Sequence, residues 1–582
     1  MRKLFYIVAG IITLCVVGCA SQTIIGTNNT TQTTKPAQLL SGKSYSISGK
    51  ISYTGKAQGD IYVLAFQNLE KLRDALSKYN VPNLDLFVSY AKINHKGNYK
   101  IKGLKPGNSY FIYAWMDKNK DKDVDFDLLE PTGWYQKDSA WGKITVNDNN
   151  ISGIDINLKT VTPYPKKDIS VKVDKKYGGT LKTIKGKKVL DVWGPPSARG
   201  YAQGYLVGPQ IRDTISYLMV EYFAGSASHY EKDIRPWVKK HLVWTNTDMK
   251  ELNGIIKGMK DSKCNMYLPE VNRDVDVIDL MCINSYTDAM YVPNCSAAAV
   301  WGPLTKNSEL KSGVIMFRSQ DGENDFRKTS VLLGLIMVQE PLDSSKNKWA
   351  SVMMFPGCIG TLTGMNEFGV VMEGNYAAGR PSPIKKSGYT PMSILIRDVL
   401  ITADHKNTEA DVMSVNNKLS KKTTTGGPII GGLNGMVAAP YYGQKIPVFV
   451  YEVDAYGATI RNPTDDIPIG PYTICTTNHF RKYEQNYPNT DRRKETRYAK
   501  LYRALDKLES DNYLKGTTVT IKTFHKRICI SSNKTTEQAF IFLPNARIIM
   551  VAYEDLKSKN SNAMESNFST YKLDDLFHYK GR

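Results

Sequence analysis

Between residues 43 and 160 apolar side chains recur at every second position in short runs, and that rhythm stops beyond them. Ser44-Tyr45-Ser46-Ile47-Ser48-Gly49-Lys50-Ile51 alternates, and Ile61–Phe66, Leu86–Ile93, Tyr99–Leu104 and Tyr110–Trp115 read as further short strands, most of them separated by Gly or Asn turns. A period of two bounded by turn residues describes strands that bury one face each, so residues 43–158 are expected to form a small all-β sandwich, interrupted by one helical insert over 68–79. Residues 159–179, with two prolines and many lysines, read as a linker. Residues 180–582 mix both periods: 211–223 and 248–259 look helical, while 314–317, 331–338, 352–355 and 446–452 look like buried strands. Without an internal repeat or a strict βαβ rhythm, the expectation there is an α+β layered fold. A chain of 582 residues is in any case too long for one core.

The phrase Gly97-Asn98-Tyr99-Lys100-Ile101-Lys102-Gly103-Leu104-Lys105-Pro106-Gly107, followed by Tyr110-Phe111-Ile112-Tyr113-Ala114-Trp115, resembles carboxypeptidase-regulatory or transthyretin-like β-sandwich modules. Just beyond it, Asp117, Asn119, Asp121 and Asp123 place oxygen-bearing side chains at alternate positions, which suits a hard cation such as Ca²⁺. The run resembles the start of an EF-hand loop but has Lys122 at its sixth position and Leu128 at its twelfth. Two readings stand: a structural calcium site, or a solvated hairpin whose lysines pair with its carboxylates.

At the N-terminus, Arg2 and Lys3 precede an apolar run, Leu4–Val17, that ends in Val16-Val17-Gly18-Cys19. That is the layout of a secretory signal over 1–18. It resembles a bacterial lipobox, which implies a lipidated Cys19, a membrane-anchored protein in the cell envelope facing the periplasm or exterior, and a polar tether over 19–42. The net charge of +21 suits an anionic envelope surface. The basic residues are spread along the chain without a nucleic-acid-binding motif, so no nucleic-acid partner is expected.

Four segments of the large region carry the chemistry. The first is the glycine-punctuated stretch Arg199–Ile211. The second is Asn294-Cys295-Ser296-Ala297-Ala298-Ala299 with the later Arg318-Ser319-Gln320-Asp321. A hairpin between these parts would return Arg318 and Asp321 to Cys295, and a guanidinium beside a thiol favours the nucleophilic thiolate. The third is Gly364-Met365-Asn366-Glu367-Phe368-Gly369 through Asn375, and the fourth is Thr476-Thr477-Asn478-His479-Phe480. Asn375 and Asn478 can each aim an amide N–H at a developing oxyanion. Alone, each feature has a plain structural reading: a buried thiol, a salt bridge, a strand-end turn, a cap.

Together and in this order, the segments resemble N-terminal-nucleophile hydrolases of the acyl-coenzyme A:6-aminopenicillanate acyltransferase type. Choloylglycine hydrolases, acid ceramidase and phospholipase B-like proteins are more distantly similar. The resemblance implies an αββα sandwich and self-cleavage between Asn294 and Cys295. It also implies catalysis by Cys295, Arg318, Asp321, Asn375 and Asn478 on a small acyl-amide or peptide-like substrate, with no cofactor. Asn294 stands where glycine is common in the family, and the stretch between Cys295 and Arg318 is longer than in compact members. Two alternatives remain: a phospholipase B- or ceramidase-like hydrolase of envelope lipids, and a non-catalytic binding lipoprotein on the same fold.

Overall fold

The computed structural model describes residues 43–67, 88–118, 120, 130–135, 142–289, 294–322, 329–377, 380, 383–444, 446–465, 470–483, 497–528, 536–555 and 562–578. The alternation in the first stretch pairs its strands as expected. In β4 (Asn98–Leu104) Tyr99, Ile101 and Leu104 turn inward while the lysines between them face solvent. It joins β1 (Tyr45–Tyr53) and β8 (Ile156–Leu158) in one sheet; β2 (Asp60–Phe66), β3 (Ser89–Ile93), β5 (Asn108–Asp117), β6 (Thr132–Trp134) and β7 (Ile144–Val146) form a second. The inner faces enclose an apolar cluster drawn from residues 47–158 alone. The expected helical insert lies outside the described residues.

The stretch expected as a linker is held in place. Thr162 N donates to Asp213 Oδ2 at 2.5 Å, Tyr164 Oη donates to Leu333 O at 2.8 Å, and Val161 is buried. Its second half is already strand: β9 (Ile169–Lys172) is the edge of a ten-stranded sheet. Prolines and lysines marked an irregular backbone here, but not the side chains that anchor it. Ser44–Arg582 form one compact unit.

The ten-stranded sheet continues through β10 (Gly178–Ile184) and β11 (Lys187–Trp193); a separate hairpin, β12 (Tyr267–Leu268) and β13 (Arg273–Asp274), follows in the chain. A six-stranded sheet is built on β14 (Cys295–Val300) and β15 (Ile315–Asp321). The larger sheet then adds β16 (Ile336–Glu340), β17 (Trp349–Ser351), β18 (Thr363–Asn366), β19 (Val371–Ala377), β20 (Gly432–Ala438), β21 (Val448–Asp454) and β22 (Gly457–Arg461). The smaller one is completed by β23 (Thr473–Thr476), β24 (Thr536–Leu543), β25 (Ile548–Tyr553) and β26 (Ser569–Lys572), in the order β23-β14-β15-β24-β25-β26. In the larger sheet β11 pairs with β16 in parallel, and the other pairings are antiparallel.

Alternation along β14 sorts the layers. Ala297 and Ala299 belong to the main core between the sheets. Ala298 and Val300 pack outward with Leu501, Leu505 and Phe524 of two helices, Arg497–Lys515 and Ile521–Ile528. On the far side, a side chain at Gly374 of β19 would meet Ile396 of the helix Met392–Leu400. The neighbouring Glu373 instead reaches Arg318 of the other sheet. Helix, sheet, sheet, helix is therefore the order of layers, an α+β sandwich.

The glycine-punctuated stretch lies within helix α1 (Pro196–Thr214), which packs against α2 (Asn246–Asp261). A Cβ on Gly204 would sit 2.0 Å from Ile255 O, and one on Gly258 would sit 2.1 Å from Tyr201 O, so the glycines let two backbones touch. Residues 352–355, expected as a strand, are a buried irregular segment after β17. Among the described residues no helix is long and apolar enough to cross a membrane.

Candidate active site

Cys295 is the first residue of β14, with 1% of its surface exposed, between the two sheets. The hairpin expected from the sequence forms. Cys295 lies opposite Gln320 and Ala297 opposite Arg318, so Arg318 shares the inward face with the thiol and places Nη2 3.4 Å from Sγ. Arg318 is fully buried. Its Nε donates to Glu373 Oε2 at 3.0 Å, its Nη2 to Gly374 O at 2.8 Å, and its Nη1 meets Met353 Sδ.

Asp321 owes its position to an irregularity. The β15–β24 register slips between Gln320 and Asp321, which turns the carboxylate out of the regular alternation. Its Oδ1 accepts from Thr536 Oγ1 at 2.7 Å, its Oδ2 lies 3.4 Å from Arg497 Nη1, and its backbone N–H donates to Asn294 O at 2.8 Å. That last contact polarises the carbonyl immediately preceding Cys295.

Asn478 is brought to the same point from β23, but its acceptor is what meets the nucleophile. Oδ1 accepts from Cys295 N at 3.0 Å and from Arg497 Nη2 at 2.6 Å, while Nδ2 donates to Tyr376 O at 2.6 Å. Asn375 lies on the inward face of β19 with Nδ2 3.2 Å from Glu373 Oε1, and no hydrogen bond joins it to Cys295. Of the catalytic candidates, Arg318 and Asn478 bond to Cys295 directly and Asp321 through the adjacent peptide. Asp117 is a buried residue at the end of β5, whereas Asn119, Asp121 and Asp123 lie outside the described residues. Among the described residues no group of three or more His, Cys, Asp or Glu side chains is placed to hold a metal.

Three residues given no role from the sequence complete the arrangement. Arg497, first residue of its helix, donates through Nη1 to Cys295 O at 2.6 Å and to Ser296 Oγ at 3.0 Å. Asn434 holds the Asn478 segment by donating to Thr477 O at 2.9 Å and His479 O at 2.8 Å. Glu373 accepts from Arg318, from Asn375 and from Met436 N at 3.1 Å. The Glu373 position was visible as an acidic residue two before Asn375 on one strand face. Arg497 carried no such signal.

Burial pushes the Cys295 thiol up to about 11, against the pull of Arg318 and Arg497; Asp321 and Glu373 add to the rise. Burial also raises Glu373 to about 7, with Arg318 opposing. A carboxyl raised in the fold favours the folded state while it is protonated, and that contribution is lost as pH climbs from the ordinary carboxylate range through about 7. Glu373→Gln, neutral throughout, is therefore expected to gain thermal stability relative to the parent as pH rises from 4.5 to 7.5. Melting temperatures of both proteins across that range check it; a constant difference contradicts it.

No family model matches the chain, and no curated protein matches it. Solved structures give partial likenesses. The Caenorhabditis elegans ortholog of N-acylethanolamine-hydrolyzing acid amidase is 16% identical with a TM-score of 0.29, over 48% of this chain and 100% of that one. Penicillin V acylase from Agrobacterium tumefaciens is 13% identical with a TM-score of 0.27, over 48% and 88%. A variant of the conjugated bile acid hydrolase from Clostridium perfringens is 10% identical with a TM-score of 0.24, over 49% and 90%. Likenesses this slight carry no argument about mechanism, which rests on the geometry of the chain itself.

Proposed function

We propose that the chain is a self-cleaving N-terminal-nucleophile enzyme of the cell envelope that hydrolyses or transfers acyl groups from C–N bonds through a thioester on Cys295. One observation carries the reading. The backbone nitrogen of Cys295 is held at 3.0 Å by Asn478 Oδ1 while its Sγ is held by Arg318 at 3.4 Å, so thiol and nitrogen of one residue are both presented between the sheets. A buried structural cysteine needs neither contact.

In the uncut chain Sγ adds to the Asn294 carbonyl carbon, whose oxygen already accepts from Asp321 N–H. The C–N bond breaks, the nitrogen keeps its own hydrogen and takes the proton given up by Sγ to become a free amine, and the Asn294 acyl group passes to sulfur. Water then hydrolyses that thioester, leaving a carboxylate on Asn294 and a thiol on Cys295. Asn294 is exposed, so water reaches this bond.

The new α-amine, ordinarily titrating at about 7.7–8.0, takes the Sγ proton in the next cycle. Sγ attacks the substrate carbonyl, the amine half leaves with a proton, and water or a second amine releases the acyl group. Asn478 orients the base, Arg318 draws charge onto sulfur, and Arg497 ties Asn478 to the strand. Asn375 is assigned the oxyanion, since one of its amide hydrogens remains beyond the bond to Glu373. The calcium loop and the lipid anchor at Cys19 complete the proposal as structural parts.

A panel of matched amides and esters, with intact-mass detection of the acyl adduct, tests the reaction class. An adduct on the fragment beginning at Cys295 is expected; turnover without one opposes the thioester. Asn478→Ala is expected to slow both self-cleavage and turnover about 10²-fold, because the nitrogen loses its acceptor and Arg497 its tie. Time courses of chain cleavage and product release check it, and unchanged rates in both would remove Asn478 from the site.

A further inference from the structure

A file of polar side chains runs across the six-stranded sheet from the nucleophile. Gln320 stands opposite Cys295, Gln538 opposite Gln320, and Tyr553 opposite Gln538, each on the next strand. All share the face turned toward the larger sheet, because directly paired residues project to the same side. All three are at least nine-tenths buried. Among the described residues, Gln320 Nε2 and Oε1, Gln538 Oε1 and Tyr553 Oη make no hydrogen bond, and neither does Asn375 Oδ1 on the facing sheet.

A buried polar atom without a partner costs about 1–3 kcal/mol, and native proteins carry few. Four such atoms in one file, starting beside a nucleophile, are explained if the ligand supplies their partners and water takes them between turnovers. The file ends at a cleft of about 650 Å³ walled in part by Tyr553, Tyr164, Val331, Lys187 and Glu554. There the Lys187 ammonium lies 4.3 Å from the Tyr553 ring centre, and among the described residues no carboxylate pairs with it. Glu554, Asp555 and Glu565 also border the cleft, so its walls are charged with both signs.

Building on the Cys295 reaction proposed above, we infer that the acyl half of the substrate is a short extended peptide lying along Gln320, Gln538 and Tyr553, with its far end in the Lys187 cleft. Three strand spacings of about 4.8 Å carry the file about 14 Å from Cys295, the reach of roughly four extended residues. Amide N–H and C=O groups of such a chain match the one free donor, Gln320 Nε2, the two free acceptors, Gln320 Oε1 and Gln538 Oε1, and the Tyr553 hydroxyl. A hydrocarbon acyl chain of equal length leaves all four atoms unpaired and meets a charged cleft at its end. The file thus selects against lipid acyl groups.

The full chain, after self-cleavage, is assayed with N-acetyl-tetra-alanyl p-nitroanilide and with dodecanoyl p-nitroanilide, which are similar in length. The peptide substrate is expected to be favoured at least 100-fold in kcat/KM. Gln320→Leu is expected to cut that preference 10- to 100-fold, and Tyr553→Phe, which removes one oxygen and keeps the ring, about threefold to tenfold. A preference near one, a preference for the dodecanoyl compound, or a ratio unmoved by both substitutions overturns the inference.

Should neither anilide turn over, N-acetyl-tetra-alanine must still raise the melting temperature more than dodecanoate does, and lose that effect in Gln320→Leu; no difference overturns it. Cys295→Ala in the same assays separates the two ideas. Turnover that survives it removes the thioester reading whatever the preference, whereas turnover lost with it and no preference removes the peptide alone.

Discussion

Cys295→Ala is expected to leave the polypeptide uncut between Asn294 and Cys295 and to lower turnover by about 10⁵-fold or more, the scale seen when a covalent nucleophile is deleted. The reasoning starts from the buried thiol. Held up at about 11, it is ionised to only about 10⁻⁴ at neutral pH in the uncut chain. Arg318 and Arg497 pull against burial without overcoming it, so the positioned sulfur stays a thiol. Under the proposed self-cleavage, cutting the preceding bond would supply the base at the nitrogen Asn478 already holds, 3.0 Å from its Oδ1. Cys295→Ser keeps a nucleophile of the same shape and should cut slowly and incompletely. Mass spectrometry of the purified proteins reads all three cases. Fragments beginning at residue 295 in the alanine variant, or full activity without sulfur, would sink the proposal.

The second large effect is expected at Arg318. Arg318→Met removes the side chain that bridges thiol, Glu373 and the β19 backbone, and leaves a fully buried carboxyl without its guanidinium. Breaking a buried pair on one side costs about 3–5 kcal/mol, because the remaining group keeps its desolvation cost. Removing both sides in Arg318→Met/Glu373→Gln should restore a good part of that loss. Activity behaves differently: both variants should stay at least 10²-fold down, since neither places a cation beside Sγ. Arg318→Lys should rank between them and the parent, as an ammonium cannot serve three directions with one fork. Chemical unfolding and steady-state rates on the four proteins give the comparison. A double variant no more stable than Arg318→Met would show that Glu373 is not the group left stranded.

How far the sequence reaches can be judged at these residues. Cys295, Arg318 and Asp321 sit on adjacent strands of one hairpin, so spacing alone placed them together. The slip that re-aims Asp321 depends on β24, more than 200 residues later, and no local pattern announces it. Asn478 was found, but which end of its amide faces Cys295 is decided by Arg497 and Tyr376, neither of which spacing relates to it. Arg497 arrives along a helix axis from a remote part of the chain, where one arginine among many basic residues has no distinguishing mark. Alternation read the small sheets well. It failed at 352–355, where apolar residues are buried without being strand, and at 159–179, where tertiary hydrogen bonds fix a stretch whose composition suggests none.

The parallel contact of β11 with β16 has a consequence for any mature form of this protein. β11 precedes the bond before Cys295 and β16 follows it, so a severed molecule would be two polypeptides sewn edge to edge through one continuous sheet. Neither half could leave without tearing that seam. Once separated by denaturant, the halves would have to meet again as strangers in solution. For a severed molecule, assembly would thus be a one-time event of the uncut chain, and the cut form would inherit an arrangement it has no unimolecular route to regain.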